Sequence, residues 1–255
     1  NMNYFKLIKI SLIFLVLSLT SSKAAVYNKN QAASTYEVVI TRIQICGSGS
    51  SLTECVSPAE VFNDTSAAID IANTTAGVAA ASLGKPTTFK SGETYSFIQV
   101  TMSRSVTIAG GGSATSASGQ ACYTNGTAGT AAQSALGSTS AGDLADAVVF
   151  IGIAGTTNNG TNFNSVNAGD GTGTSAADGT VTSGHTHIEW RGALDASYTH
   201  EQGYVPSVTI AFGTATALGF YTPVAGSAND CDTRASGKTK LGFYAGEPDV
   251  TITIK

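Results

Sequence analysis

The chain has 255 residues, 13 of them Lys or Arg and 17 Asp or Glu, for a net charge of −4. Charged residues make up only 12%, about half the usual share. The basic residues form no cluster, so counterion release from a nucleic acid and attraction to anionic lipid have little to act on, and neither partner is expected.

Residues 1–24 read as a secretory signal peptide. Lys6 and Lys9 precede an apolar run from Ile10 to Leu19, and Ser22-Lys23-Ala24 places small residues at −3 and −1 of a cleavage site. The run is shorter than the roughly 20 apolar residues of a membrane span. Cleavage removes Lys6, Lys9 and Lys23 and takes the net charge from −4 to −7. The remaining 25–255 is expected to form a single β-sandwich domain, with Gly110 as an alternative boundary between two β modules. The expected address is exported: periplasm, cell surface or medium.

Ala25–Thr35 is polar and reads as a lead-in. Tyr36–Cys46 is a strand rich in β-branched residues, with apolar side chains on both faces early on, which predicts a central strand or a bulge. Gly47–Ser51 is a turn, and Leu52–Val56, Ala59–Phe62 and Ala67–Ala72 read as short strands. In Ser96–Ile108, Ile98, Val100, Met102, Val106 and Ile108 share one parity, while Phe97, Gln99, Thr101, Ser103, Ser105 and Thr107 share the other. That period of two predicts a half-buried strand, interrupted on its apolar face by Arg104 alone.

Gly110-Gly111-Gly112 reads as a flexible close to this block, and Ser113–Asp146 as loop with one helical turn near Asp143. Ala147–Ile153 is a continuous apolar run, expected to be buried on both faces. Asn158–Gly184 is rich in turn dipeptides. Thr186–Trp190, Tyr204–Phe212, Ala215–Tyr221, Lys240–Ala245 and Val250–Ile254 complete the predicted strands. Many short strands and no sustained helical period predict an all-β antiparallel sandwich, Ig-like or jelly-roll-like, with long Gly/Ser/Thr/Ala-rich loops.

The four cysteines, Cys46, Cys55, Cys122 and Cys231, are expected in disulfides in an exported chain. The preferred pairing is Cys46–Cys55 with Cys122–Cys231, because the first pair flanks a Gly/Ser turn.

Three constellations bear on chemistry. His185, His187 and Glu189 alternate along a predicted strand, which puts them on one face, where they offer ligands to a transition metal, with Asp195, His200 or Glu201 to complete the shell. Gly179, five residues and then His185-Thr186-His187 resembles the opening of the cupin metal motif. That pattern wants a Glu four or five residues after the second His, where this chain has Arg191 and Gly192, and no second motif follows. The competing reading makes these three residues the solvent face of a strand whose Ile188 and Trp190 are buried. Secondly, Ala168–Gly173 with Asp178 offers oxygen ligands for Ca²⁺, or a plain Gly/Asp turn. Thirdly, aromatic residues gather in the last third, and Tyr198, Tyr221 and Tyr244 are candidates for stacking on a sugar, against the competing role of sandwich-core filler. Asn63, Asn73, Asn125 and Asn159 each begin a glycosylation-acceptor triplet.

There is no G-x-S-x-G elbow and no phosphate-binding loop, and no catalytic residue is assigned. The expected function is non-enzymatic: an adhesin-like or structural subunit of the cell surface or periplasm, without cofactor, its partners being other copies or surface proteins. A carbohydrate-binding module is the second expectation, and a metal-dependent enzyme built on His185 and His187 the third.

Overall fold

The alternation in Ser96–Ile108 builds two strands that belong to different sheets. The break falls at Arg104, between strands Thr94–Ser103 and Ser105–Ser113. A computed structural model describes residues 26–73, 89–113, 121–131, 134–151, 166–169, 184–222 and 242–254. The leader, Cys231 and the stretch Asp170–Asp178 lie outside the described residues.

In chain order the strands are β1 (Val26–Gln31), β2 (Ala33–Val38), β3 (Ile40–Gly47), β4 (Ala59–Asn63), β5 (Ile69–Asp70), β6 (Thr94–Ser103), β7 (Ser105–Ser113) and β8 (Ala121–Thr124). There follow β9 (Gly137–Ser138), β10 (Ala147–Phe150), β11 (Val166–Gly169), β12 (His187–Thr199), β13 (Val208–Gly213), β14 (Leu218–Thr222), β15 (Gly242–Ala245) and β16 (Asp249–Ile254). Among the described residues the one helical piece is a 3-10 turn, Ala141–Asp143, and no helix is long and apolar enough to cross a membrane.

The protein is an all-β antiparallel sandwich. One main sheet has the order β11-β12-β6-β3-β4; the other runs β5-β2-β7-β8-β9, with β10 also on β7. Among the described residues there are two smaller sheets, β1-β14-β15 and β13-β16. Tyr36, Val38, Val106, Ile108 and Val149 from the second sheet and Ile43, Ile45, Ile98, Val100 and Ile188 from the first belong to one buried apolar cluster. Each such side chain contributes roughly 1.5–3 kcal/mol by leaving water.

Two stretches of chain cross between the main sheets through a single residue. β2 leads into β3 through Val39, and β6 leads into β7 through Arg104. β2 pairs with β7, and β3 pairs with β6. The register of β3 on β6 shifts between Ile40 and Arg42. That irregularity explains the mixed parity of Tyr36–Cys46: Tyr36, Val38 and Ile40 are buried before it, Ile43 and Ile45 after it.

Arg104 is fully buried and has its own reason to break the apolar face. Its Nε donates to the carbonyl of Ile151 at 2.7 Å, Nη2 to Ala131 at 2.8 Å and Nη1 to His185 at 3.5 Å. The guanidinium also lies 5.9 Å from the Phe150 ring centroid. Burial pushes its pKa down to about 10.

Several local expectations are corrected. The lead-in is not loop throughout, because Val26–Gln31 pairs with β14 and Ala33 starts β2. Leu52–Val56 is not a strand. It belongs to a loop closed by Ser50, which accepts the Val56 N–H at 2.9 Å and donates to the Gly47 carbonyl at 2.7 Å. Gly110-Gly111-Gly112 is not a flexible close but part of β7, and the alternative boundary at Gly110 falls inside that strand. A Cβ on Gly110 would sit 2.6 Å from the Ala32 carbonyl oxygen and one on Gly111 2.3 Å from the Cys122 carbonyl oxygen. Close approach of neighbouring strands, not mobility, requires glycine there. In β10, Ala147 and Val149 are buried while Val148 and Phe150 are half-buried, so that run alternates. β12 continues nine residues beyond Trp190, because its register with β6 extends to Thr199↔Thr94.

Cys46 and Cys55 form a disulfide. Cys122 is buried and disulfide-bonded, and its expected partner Cys231 is outside the described residues.

Candidate functional site

The first main sheet has an inner face of apolar residues and an outer face of polar ones. Register places them in rungs: Gln44↔Glu60, Gln44↔Gln99 and Arg191↔Gln99 on one, Arg42↔Thr101 and Glu189↔Thr101 on the next. Alternation puts these side chains opposite Ile43, Ile45, Ile98, Val100, Ile188 and Trp190. The middle of the outer face is nonetheless buried. Gln44 and Gln99 are each 5% exposed, Arg191 4% and Glu189 0%.

Burial of so many polar groups demands partners, and the sheet supplies them in series. Arg191 Nε donates to Gln99 Oε1 at 2.6 Å, and Gln99 Nε2 donates to Gln44 Oε1 at 2.9 Å. Gln44 Nε2 donates to Glu60 Oε2 at 3.4 Å, and Glu60 also accepts from Arg42 Nη2 at 3.0 Å. Arg191 pairs with Glu189 at 3.1 Å. Burial pulls the Arg191 guanidinium below its ordinary value, opposed by Glu189 and then Glu54. A cleft of about 410 Å³ lies on this network, with Thr53, Glu54, Cys55 and Pro58 of the disulfide loop as its other wall.

Glu189 therefore does not lie on a solvent face. It is buried beside Arg191, because β6 and β12 place Thr101, Gln99 and Arg191 around it. His187 is half-buried, with Nδ1 2.9 Å from the Thr186 hydroxyl, and His185 precedes the strand, its carbonyl held by Arg104. His187 pairs with Ser103 and Thr199 with Thr94, at opposite ends of β6, so His200 and Glu201 lie roughly 30 Å from His187 at about 3.3 Å per residue. They do not complete a shell with it. Asp195 is exposed further along β12. Among the described residues, no group of three or more His, Cys, Asp or Glu is placed to hold a metal ion. Of the Ca²⁺ candidate stretch, only Ala168 and Gly169 are described, paired with Ile188 and His187.

The tyrosines separate. Tyr244 is buried, and a Cβ on Gly219 would meet its ring at 2.2 Å; it presents no free stacking face. Tyr221 lies on β14 opposite Tyr27. Tyr198 is half-buried in a ring cluster. Phe89 lies 4.8 Å from Tyr95, 5.9 Å from Tyr198 and 5.5 Å from His200, centroid to centroid. Tyr198 Oη is 3.2 Å from His200 Nδ1. Burial, then Tyr204, Glu201 and Tyr95, push the Tyr198 phenol up. Tyr204 and Val205, 53% and 71% exposed, lie in the segment that follows.

This end of the sheet also carries the disulfide loop, since Ser48 donates to the Thr94 carbonyl at 2.7 Å and Gly92 to that of His200 at 2.8 Å. Reading residues one strand at a time missed Arg42, Gln44, Gln99 and Arg191. The available signal was the recurrence of two polar residues at i and i+2 in three strands, Arg42/Gln44, Gln99/Thr101 and Glu189/Arg191.

In comparisons with known proteins, no family model, no curated protein and no solved structure matches the chain.

Proposed function

We propose that this chain is an exported, non-enzymatic sandwich protein of the cell surface or periplasm, serving as an adhesin-like or structural subunit. The observation that carries the reading is the Cys46–Cys55 disulfide, a bond that persists in oxidising compartments. The leader-like N-terminus and the low charge agree with it. The buried polar groups of the outer sheet face bond to one another across strands, which suits a rigid scaffold.

The test is to express the full chain with its leader and follow three readouts: N-terminal processing, digestion of the protein on intact cells by added protease, and electron microscopy of the purified mature chain. Processing with surface exposure, or ordered assemblies, supports the reading. An unprocessed chain with reduced cysteines in the cytoplasm overturns it.

A further inference from the structure

We propose that the cleft between the disulfide loop and the outer face of the first main sheet binds an uncharged saccharide. This site is separate from the tyrosines considered above and does not depend on surface assembly. Its volume, about 410 Å³, falls in the range of about 300–1,000 Å³ that small-molecule sites occupy.

The floor is polar and built. Gln44 and Gln99 are each 5% exposed and line the cleft. A side-chain amide has two N–H groups and an oxygen with two lone pairs. Each of these amides uses one N–H and one oxygen position in the chain from Arg191 to Glu60. Each therefore keeps one donor and one acceptor position for a ligand, held by a neighbour on either side. Hydroxyl groups, which donate and accept at one atom, match such paired positions.

Charge selects among ligands. Arg42 is engaged by Glu60 and Arg191 by Glu189, and Glu54 adds another carboxylate to the wall. Both guanidiniums that line the cleft are already paired with carboxylates outside its lining, which disfavours a phosphate, sulfate or carboxylate ligand. One lining carboxylate beside two guanidiniums disfavours a metal cation. A neutral polyhydroxyl compound remains, with Pro58 and the Cys55 half of the disulfide offering an apolar edge to a sugar ring's C–H face.

The test uses the oxidised mature protein and a panel of neutral hexoses, N-acetylhexosamines, deoxyhexoses and their short oligomers, read by saturation-transfer NMR and calorimetry. Two variants are compared. Pro58→Trp fills the mouth from an exposed loop position, and Gln44→Leu/Gln99→Leu removes the floor amides. The expected result is binding of at least one saccharide, weakened at least tenfold in Pro58→Trp, whose thermal unfolding is unchanged, and abolished in the double variant. Should the double variant not fold, Pro58→Trp alone decides. No binding across the panel, binding that survives Pro58→Trp, or displacement of the sugar by inorganic sulfate would each overturn the proposal.

Discussion

The backbone N–H of Ser103 donates to the carbonyl of Val39 at 2.8 Å, tying together the two points where the chain passes from one main sheet to the other through a single residue. Val39 separates β2 from β3, and Arg104, next to Ser103, separates β6 from β7. At both points the chain bends from one layer into the next, forming a corner of the sandwich.

Arg104 holds this corner from the inside. Arg104→Met keeps much of the volume but leaves the carbonyls of Ile151, Ala131 and His185 without the guanidinium. Hydrogen bonds to charged groups contribute about 1.5–3 kcal/mol each, offset by the cost of burying the charge. The expected loss is about 3 kcal/mol in urea unfolding, with Arg104→Lys intermediate. A loss below about 1 kcal/mol would show that the corner does not need this side chain.

Tyr36 ties the second main sheet to the segment after β15, with its hydroxyl donating to the Gly246 carbonyl at 3.0 Å. Burial, with Glu247 adding to it, raises its pKa well above the ordinary value. In the unfolded chain the phenol ionises near pH 10. Its stabilisation is thus complete below about pH 10 and is lost as pH rises from there through the folded-state value. Tyr36→Phe should cost about 1–2 kcal/mol at neutral pH, and the gap from the parent protein should narrow above about pH 10. A gap that stays constant in alkaline urea titrations would reject this account.

Glu189 and Arg191 form a buried pair within one strand. Removing one partner of such a pair costs about 3–5 kcal/mol, whereas replacing both with apolar residues often costs far less. Glu189→Leu and Arg191→Met should each be strongly destabilising, and the double variant should recover much of the loss. A cycle of denaturation measurements gives the coupling, and additive losses would mean that the two charges act independently.

Cys46 and Cys55 are nine residues apart. Closing so short a loop contributes roughly 2–3 kcal/mol in the chain-entropy model. Cys46→Ser/Cys55→Ser should lose about that much, although Ser50 still bridges Gly47 and Val56. Calorimetry of oxidised, reduced and substituted protein checks it; equal transition temperatures for all three would be the contrary result.

Much of this architecture was legible in the sequence, and the failures share a cause. Alternation in β6 separated Ile98, Val100 and Met102 from Gln99 and Thr101 correctly, because pleating is a local property. Arg104 stood out as an interruption, yet what it binds comes from residues 27 to 81 positions away. The strand pattern in the sequence ends at Trp190 because Arg191–Thr199 lacks alternation, and only pairing with β6 extends β12 to Thr199. The three glycines were ambiguous, since mobility and tight packing both favour glycine. For Glu189, parity gave the right face but not what lies over that face, and burial is set by distant chain.

The crossing of β2–β3 and β6–β7 has a consequence for how the molecule comes apart. Each of these stretches contributes one segment to either main sheet, so neither sheet owns a complete set of strands. Melting one sheet removes the anchor points of the other at Val39 and Arg104. The two sheets are therefore bound to a common fate under heat or tension, and a half-folded chain that keeps one of them intact has nothing to hold its free strands in register.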